Sequence, residues 1–221
     1  MHYIQGRLEN AELWNKDVQQ ELLSLWKHGV LRISNKFIQE SIIKFLELEA
    51  PIGFFVNPAA ASGKHHPKWQ NKICGILRNT TECCLLVDIM LEQYKEFCDS
   101  IGNVLSEPRD IVLSATILSD TFKYGTNIVK PYSDSTKHQK DHGKVAAEKW
   151  ILLAYSLEPK DETIDLVEAI YEATYWHLGR WTPGWTPKVD FSKLTEITHL
   201  LDAIFADKNL ELLYEPKQII G

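Results

Sequence analysis

An all-α fold is the prediction for this chain of 221 residues, and three observations make it. Apolar residues recur at three- and four-residue spacing in segment after segment. No stretch alternates with the period of two that a half-buried strand would need. Proline and glycine mark the stops between the periodic segments. There is no internal repeat and no shift of composition marking a linker. A single-domain helical bundle is therefore expected, with N-terminal helices over residues 1–50 packed on a larger helical region over 51–221.

The first periodic segment covers residues 15–28, with Val18, Leu22, Leu25 and Trp26 on one stripe and Gly29 as its stop. Asn35 is a favourable cap for the second, which carries Phe37, Ile38, Ile42, Phe45 and Leu46 and ends at Pro51. The apolar run from Ile52 to Val56 is short and reads as a strand or an extended connector. A loop follows from Asn57 to Pro67, containing Gly63-Lys64 and the adjacent His65 and His66. Its Gly-Lys pair lacks the spacing of a phosphate-binding P-loop, and the histidines could equally bond neighbouring backbone.

Residues 79–98 predict a helix with Leu85, Leu86, Ile89, Met90 and Phe97 on its apolar face and Gly102 at its exit. Pro108 and Asp110 open the next, which is apolar at nearly every position through Leu118 and so reads as a central helix covered on most sides. Residues 125–141 read as a long polar loop. Further helices are expected from Val145 to Tyr155, from Ile164 to Trp176 with Val167, Tyr171 and Tyr175 on its stripe, and from Ser192 to Phe205 with Leu194, Ile197, Leu201, Ile204 and Phe205 inward. Between the last two lies a turn from Trp181 to Pro187.

Charge and cysteine usage narrow the function classes. A net charge of −6 lacks the basic face of a general nucleic-acid binder, although a few local cations would suffice for a nucleotide. Nothing approaches the ~20 consecutive apolar residues of a membrane span. The first residues, Met1 to Gly6, lack the pattern of a signal peptide, so the expected compartment is the cytoplasm. Cys74, Cys83, Cys84 and Cys98 make no CxxC pair and are expected to be free thiols, three of them buried on one helical stretch.

Three polar residues stand at helix ends: Asp120 after the central apolar helix, His142 before the next, and His177 at the end of another. A bundle can point such residues into a shared cleft without breaking its core. One carboxylate and two imidazoles are a reasonable set for zinc, iron or manganese, and the same three residues could be surface or capping groups. Spacing leaves both readings open.

The octapeptide Leu118-Ser119-Asp120-Thr121-Phe122-Lys123-Tyr124-Gly125 resembles the His-Asp signature of HD-domain metal-dependent phosphohydrolases, in which a lysine often follows the aspartate by three. Pro58 to Pro67, Gly75 to Thr80, His142-Gly143, His177 to Trp181 and Thr198 to Asp202 fall in the order of an HD-domain subgroup common in phages and bacteria. The resemblance implies an HD-type helical bundle. It also implies a first metal held by an early histidine, the His-Asp pair and a late aspartate. In this chain Asn79 and Ser119 stand at the two histidine positions, while Asp120 and Asp202 match. The second metal of binuclear members would be held by Asp120, His142 and His177, all present. One divalent ion (Mn, Fe, Ni, Zn or Mg) is thus expected rather than two. Lys123 would act on the phosphoryl group, with Lys64, His66 and Arg180 contacting substrate. The implied ligand is a small phosphorylated molecule, foremost a nucleotide, with no membrane partner and with oligomer formation left open. The alternatives are an HD-fold protein that binds a nucleotide or a protein without turnover, and an all-α scaffold whose polar helix ends are structural. On that last reading Lys123 is a solvated residue, His199 packs beside Asp202, and Trp176, Trp181 and Trp185 fill core or rim.

Overall fold

A computed structural model describes residues 1–60, 66–93, 108–125, 139–189 and 191–206. Among these residues every regular element is helical and there is no strand. The chain order is α1 (His2–Asn10), α2 (Lys16–His28), a 3₁₀ turn (Val30–Arg32), α3 (Lys36–Leu48), α4 (Ile52–Val56), α5 (Gly75–Gln93), α6 (Pro108–Ser119), α7 (His142–Ser156), α8 (Asp161–Tyr175), a second 3₁₀ turn (Gly179–Trp181) and α9 (Lys193–Phe205).

The cap read from the sequence, Asn35, does its expected work, and Asn15 and Ser192 act in the same way. Asn15 accepts from the amides of Asp17 and Val18 to start α2, Asn35 from Ile38 to start α3, and Ser192 from Thr195 to start α9. Each supplies a side-chain oxygen to an amide that the helix itself leaves unpaired. In α6 every residue from Asp110 to Ser119 is buried, and the helix packs against α3, α5, α7, α8 and α9. It is the central rod of the bundle. At its start the Asp110 carboxylate accepts from the amides of Ser34 (2.9 and 3.0 Å) and Asn35 (2.7 Å). One core runs from Ile4 and Leu8 of α1 to Leu201 of α9.

Residues 52–56 are a helix rather than a strand or an extended connector, and all five are buried. A five-residue apolar run has no polar face from which either period can be read. Pro51 sits just outside its first turn, where the missing N–H costs nothing. In α5 the buried face is also displaced from the expected one. It carries Ile76, Leu77, Asn79, Thr80, Cys83, Cys84 and Val87, whereas Ile89 is 56% exposed and Leu85, Leu86 and Met90 are half-buried. The reason is chemical: this helix turns polar residues inward, so the most hydrophobic side of the sequence is not the side that packs. In α8 the inward face is Thr163, Leu166, Val167, Ile170, Ala173 and Thr174, which leaves Ile164, Tyr171 and Tyr175 at the edge. In α9 Leu194, Ile197 and Leu201 are buried while Ile204 and Phe205 are half-buried.

Helix α1 falls in a segment for which no element was expected. Its Arg7 donates to the carbonyls of Glu47 (2.8 Å) and Ala50 (2.7 Å), closing the C-terminal end of α3. Cys74, Cys83 and Cys84 are free and buried, as read from the sequence. Phe97, Cys98, Gly102 and most of the 125–141 stretch lie outside the described residues.

Candidate metal centre

The turn after α6 aims Asp120 into the bundle. Thr121 returns both its amide (3.1 Å) and its hydroxyl (2.7 Å) to the Leu118 carbonyl, and Phe122 stacks edge-on against Phe45 of α3 with centroids 6.1 Å apart. Further on, the Tyr124 hydroxyl donates to the Pro58 carbonyl at 2.7 Å. Gln139 then ties this turn to α7: its amide donates to the Lys123 carbonyl (2.9 Å), and its own carbonyl faces His142 Nδ1 at 2.6 Å. His177, in the turn after α8, places its Nδ1 3.0 Å from the Thr174 carbonyl.

These two carbonyls decide the tautomers. A carbonyl only accepts, so Nδ1 carries the proton on both rings and each neutral ring presents a bare Nε2. The two Nε2 atoms lie 3.1 Å apart, and His142 Nε2 is also 3.1 Å from Asp120 Oδ1. Asp120, His142 and His177 are all buried, and their ligating atoms fall within 4.8 Å of one another. Three lone-pair atoms facing one another in a buried space repel unless a cation or a proton lies among them.

Electrostatics supports a cation. Burial pushes the His177 imidazole down to about 3, with His142 adding to the effect, so His177 resists taking up the proton. The Asp120 carboxyl is opposed by its burial, yet Lys123, His142 and His177 together hold it well below the usual carboxylate range. It is an anion. The Lys123 ammonium lies 2.8 Å from Asp120 Oδ2, and the charge of Asp120 followed by that of Asp202 raises it despite the burial that would lower it. Asp202 behaves oppositely to Asp120: burial, then the Asp120 charge, push it up to about 6.

Two glycines make this geometry available. A Cβ at Gly143 would collide with the imidazole of His177 and approach the Thr174 carbonyl to 2.9 Å, so the ring of His177 stands on a bare Cα of α7. Gly179 adopts a φ of +57°, and a side chain there would come within 3.1 Å of the His199 ring. His199 uses this space to place Nδ1 2.8 Å from the His177 carbonyl and to lie against Trp181 with centroids 5.6 Å apart.

Asn79, Ser119, Asp120 and Asp202 are also brought together, around a cavity of about 10 Å³ that Thr80, Cys83, Thr116 and Thr198 complete. Asn79 Oδ1, Thr80 Oγ1 and Thr116 Oγ1 are buried there without a hydrogen-bond partner among the described residues. Arg180 is exposed on the 3₁₀ turn, next to a Trp181 that is 74% exposed. His66 is buried elsewhere, its Nδ1 2.8 Å from Gln70 Oε1, and Gln70 in turn donates to Glu82 at 2.5 Å. Lys64 lies outside the described residues.

No family model, curated protein or solved structure matches this chain. The donors themselves are the basis for assigning chemistry. Two imidazole nitrogens and one carboxylate oxygen, with each ring's far nitrogen fixed by a backbone carbonyl, are a fitting set for a divalent transition ion. Sequence reasoning reached all three but missed what orients them, the carbonyls of Gln139 and Thr174 and the seat that Gly143 leaves for a ring; His199, expected to pack near Asp202, sits behind His177. That reasoning also missed Thr80, Cys83, Thr116 and Thr198. For Cys83, Thr116 and Thr198 the only signal is three- or four-residue spacing from Asn79, Ser119 and Asp202, and Thr80 has none beyond adjacency to Asn79.

Proposed function

We propose that this chain is an HD-type metal-dependent phosphohydrolase with a one-ion centre, acting on a nucleotide or another small phosphoester. The observation that carries the reading is the convergence of Asp120 Oδ1, His142 Nε2 and His177 Nε2 with both imidazole tautomers set by backbone. A divalent ion held there polarises a phosphoryl oxygen and makes a water more acidic. The residues around it do the rest. Asp120 stays ionised because Lys123, His142 and His177 oppose the effect of its burial. Arg180, exposed beside the centre's His177 turn, supplies a planar cation for phosphate oxygens. Trp181 offers an exposed ring for a base, backed by His199.

Metal analysis of protein purified without chelator tests this: about one ion per chain is expected, abolished by His142→Ala or His177→Ala. Absence of metal after adding Mn²⁺, Ni²⁺, Fe²⁺ or Zn²⁺ would sink the reading. A nucleotide panel read by thermal shift and by product release then separates hydrolysis from binding.

Binding without turnover is the second reading, and one observation favours it. The Lys123 ammonium, which the resemblance assigns to the phosphoryl group, is buried and engaged with Asp120. Losing a two-ion clamp and that lysine together would cost several kcal/mol of transition-state stabilisation, ~10²–10⁴ in rate.

A further inference from the structure

A second and much larger concavity lies between α2, α5 and the turn over 66–74, away from the imidazole centre. It has a volume of about 790 Å³, and Leu23, Trp69, Ile73, Arg78, Glu82 and Leu85 line it. Small-molecule sites run from about 300 to 1,000 Å³. The Glu82 carboxylate is held there by a one-way chain of donors. A carboxylate only accepts, so Gln70 turns its amide nitrogen to Glu82 Oε2 at 2.5 Å. The Gln70 amide oxygen then faces His66 Nδ1 at 2.8 Å, and His66 carries its proton on that nitrogen. Trp69 gives its indole N–H to the same Oε2 at 3.4 Å. Both bonds land on one oxygen, and Oε1 receives none among the described residues. Arg78 commits its guanidinium to Glu21, with Nε 2.9 Å from Glu21 Oε1. That pair is neutral, so Glu82 adds an unbalanced negative charge beside it. Burial pushes the Glu82 carboxyl up, against the hydrogen bonds of Gln70 and Trp69 and the charge of Arg78.

We infer that this groove binds a small organic monocation, an alkylguanidinium or alkylammonium whose charged head meets Glu82 Oε1 and whose apolar stem lies on Leu23, Ile73 and Leu85. A cationic head supplies the donor that Oε1 lacks and continues the alternation of charge begun by Glu21 and Arg78. The half-buried indole of Trp69 is fixed beside that carboxylate, and an aromatic face attracts the same head. Ile73 is 64% exposed and Leu23 is 47% exposed, apolar surface that a hydrocarbon stem would take out of water. A bare metal ion fits poorly, because hard ions need several oxygen ligands and these walls are largely apolar. A polycation fits poorly for another reason. Lys16, Lys27 and Lys72 are exposed around the same groove, with Asp17 as the exposed acid among them, so further positive charges on a ligand meet like charge. The groove shares no residue with Asp120, His142 and His177, and its ligand binds whether or not that centre holds an ion.

Calorimetric titration of the full-length protein with n-butylguanidinium tests this, beside n-butylurea, which has nearly the same shape and no charge. One equivalent of butylguanidinium is expected, with no binding of butylurea at the same concentrations. Glu82→Gln keeps the shape of the side chain and removes its charge, and it should weaken butylguanidinium by about tenfold or more. Trp69→Leu should weaken it by about 2- to 30-fold, the span of a cation–π contact. Spermidine should displace butylguanidinium poorly, because its additional charges meet the lysines of the rim. Circular dichroism confirms that each variant is folded, and the pair of probes on the unaltered protein decides the matter if Glu82→Gln is not. Butylguanidinium that fails to bind overturns the inference. So does butylurea that binds equally, since the groove then reads apolar surface alone. An affinity unchanged in Glu82→Gln places the cation elsewhere and overturns it too, and ready displacement by spermidine removes the preference for a single charge.

Discussion

The two sides of Asp120 are built from the same kind of structure and different chemistry. On one side, His142 and His177 project from helix ends, their rings oriented by the Gln139 and Thr174 carbonyls and accommodated by Gly143. On the other, Asn79 and Asp202 stand on the bodies of α5 and α9, and Ser119 closes α6 with its hydroxyl donating to the Thr116 carbonyl. The imidazole side has its donors fixed and its protons assigned. The oxygen side has buried oxygens still unpaired among the described residues. A helix end leaves backbone carbonyls without an intrahelical partner, free to fix a ring, whereas the carbonyls of a helix body are already engaged by the helix's own hydrogen bonds.

The comparison breaks most visibly if one imidazole is removed. His177→Ala should abolish metal content and any phosphoesterase activity, while Asn79→Ala should leave an ion at Asp120, His142 and His177 in place; equal loss in both would merge the two sides into one site. A smaller effect is expected from Gly143→Ala, which forces the His177 ring off its seat. Metal affinity should fall by about 10–100-fold, the usual consequence of disturbing a group that orients a ligand, and calorimetry would measure it. An unchanged affinity would show that the ring has room to shift. Trp181→Ala should weaken nucleotide binding by about 1–3 kcal/mol if a base stacks there. It should leave inorganic phosphate binding unaltered, and a parallel loss in both would rule out stacking.

A further effect is on stability and has opposite signs on the two sides. In metal-free protein, unfolded His177 takes up a proton near pH 6.5, but folded His177 does so only at about 3. Stability is therefore lost as pH falls between those values. Asp202 works the other way: its folded carboxyl titrates at about 6, above its unfolded value, so its ionisation lowers stability as pH rises toward 6. Urea melts of His177→Gln and Asp202→Asn should thus change the pH slope in opposite directions. Slopes that moved together would contradict the assignment of neutral His177.

Much of the bundle was readable because its signals are local. Asn15, Asn35 and Ser192 announce helix starts by chemistry that involves only the next three residues. The uniformly apolar α6 could only be central. The face of α5 was not readable, because Asn79 and Thr80 are inward for a reason that lies on α6 and α9. Asp120, His142 and His177 stood out as polar residues at the edges of apolar segments. The carbonyls that set the tautomers leave no trace in residue identity, since every residue has one.

Asp110 carries a consequence for where this protein may be cut. Its buried carboxylate is anchored by the amides of Ser34 and Asn35, at the far end of the same helix that delivers Asp120. A chain begun at Pro51 would keep every residue proposed to bind metal and would strip that carboxylate of its amide donors and bare the apolar face of its helix. Hydrogen bonds to a charged group are worth about 1.5–3 kcal/mol each, a large share of a domain's entire stability. The first fifty residues therefore belong to the same folding unit as the helix that delivers Asp120, and a fragment drawn around the candidate ligands is expected to be destabilised.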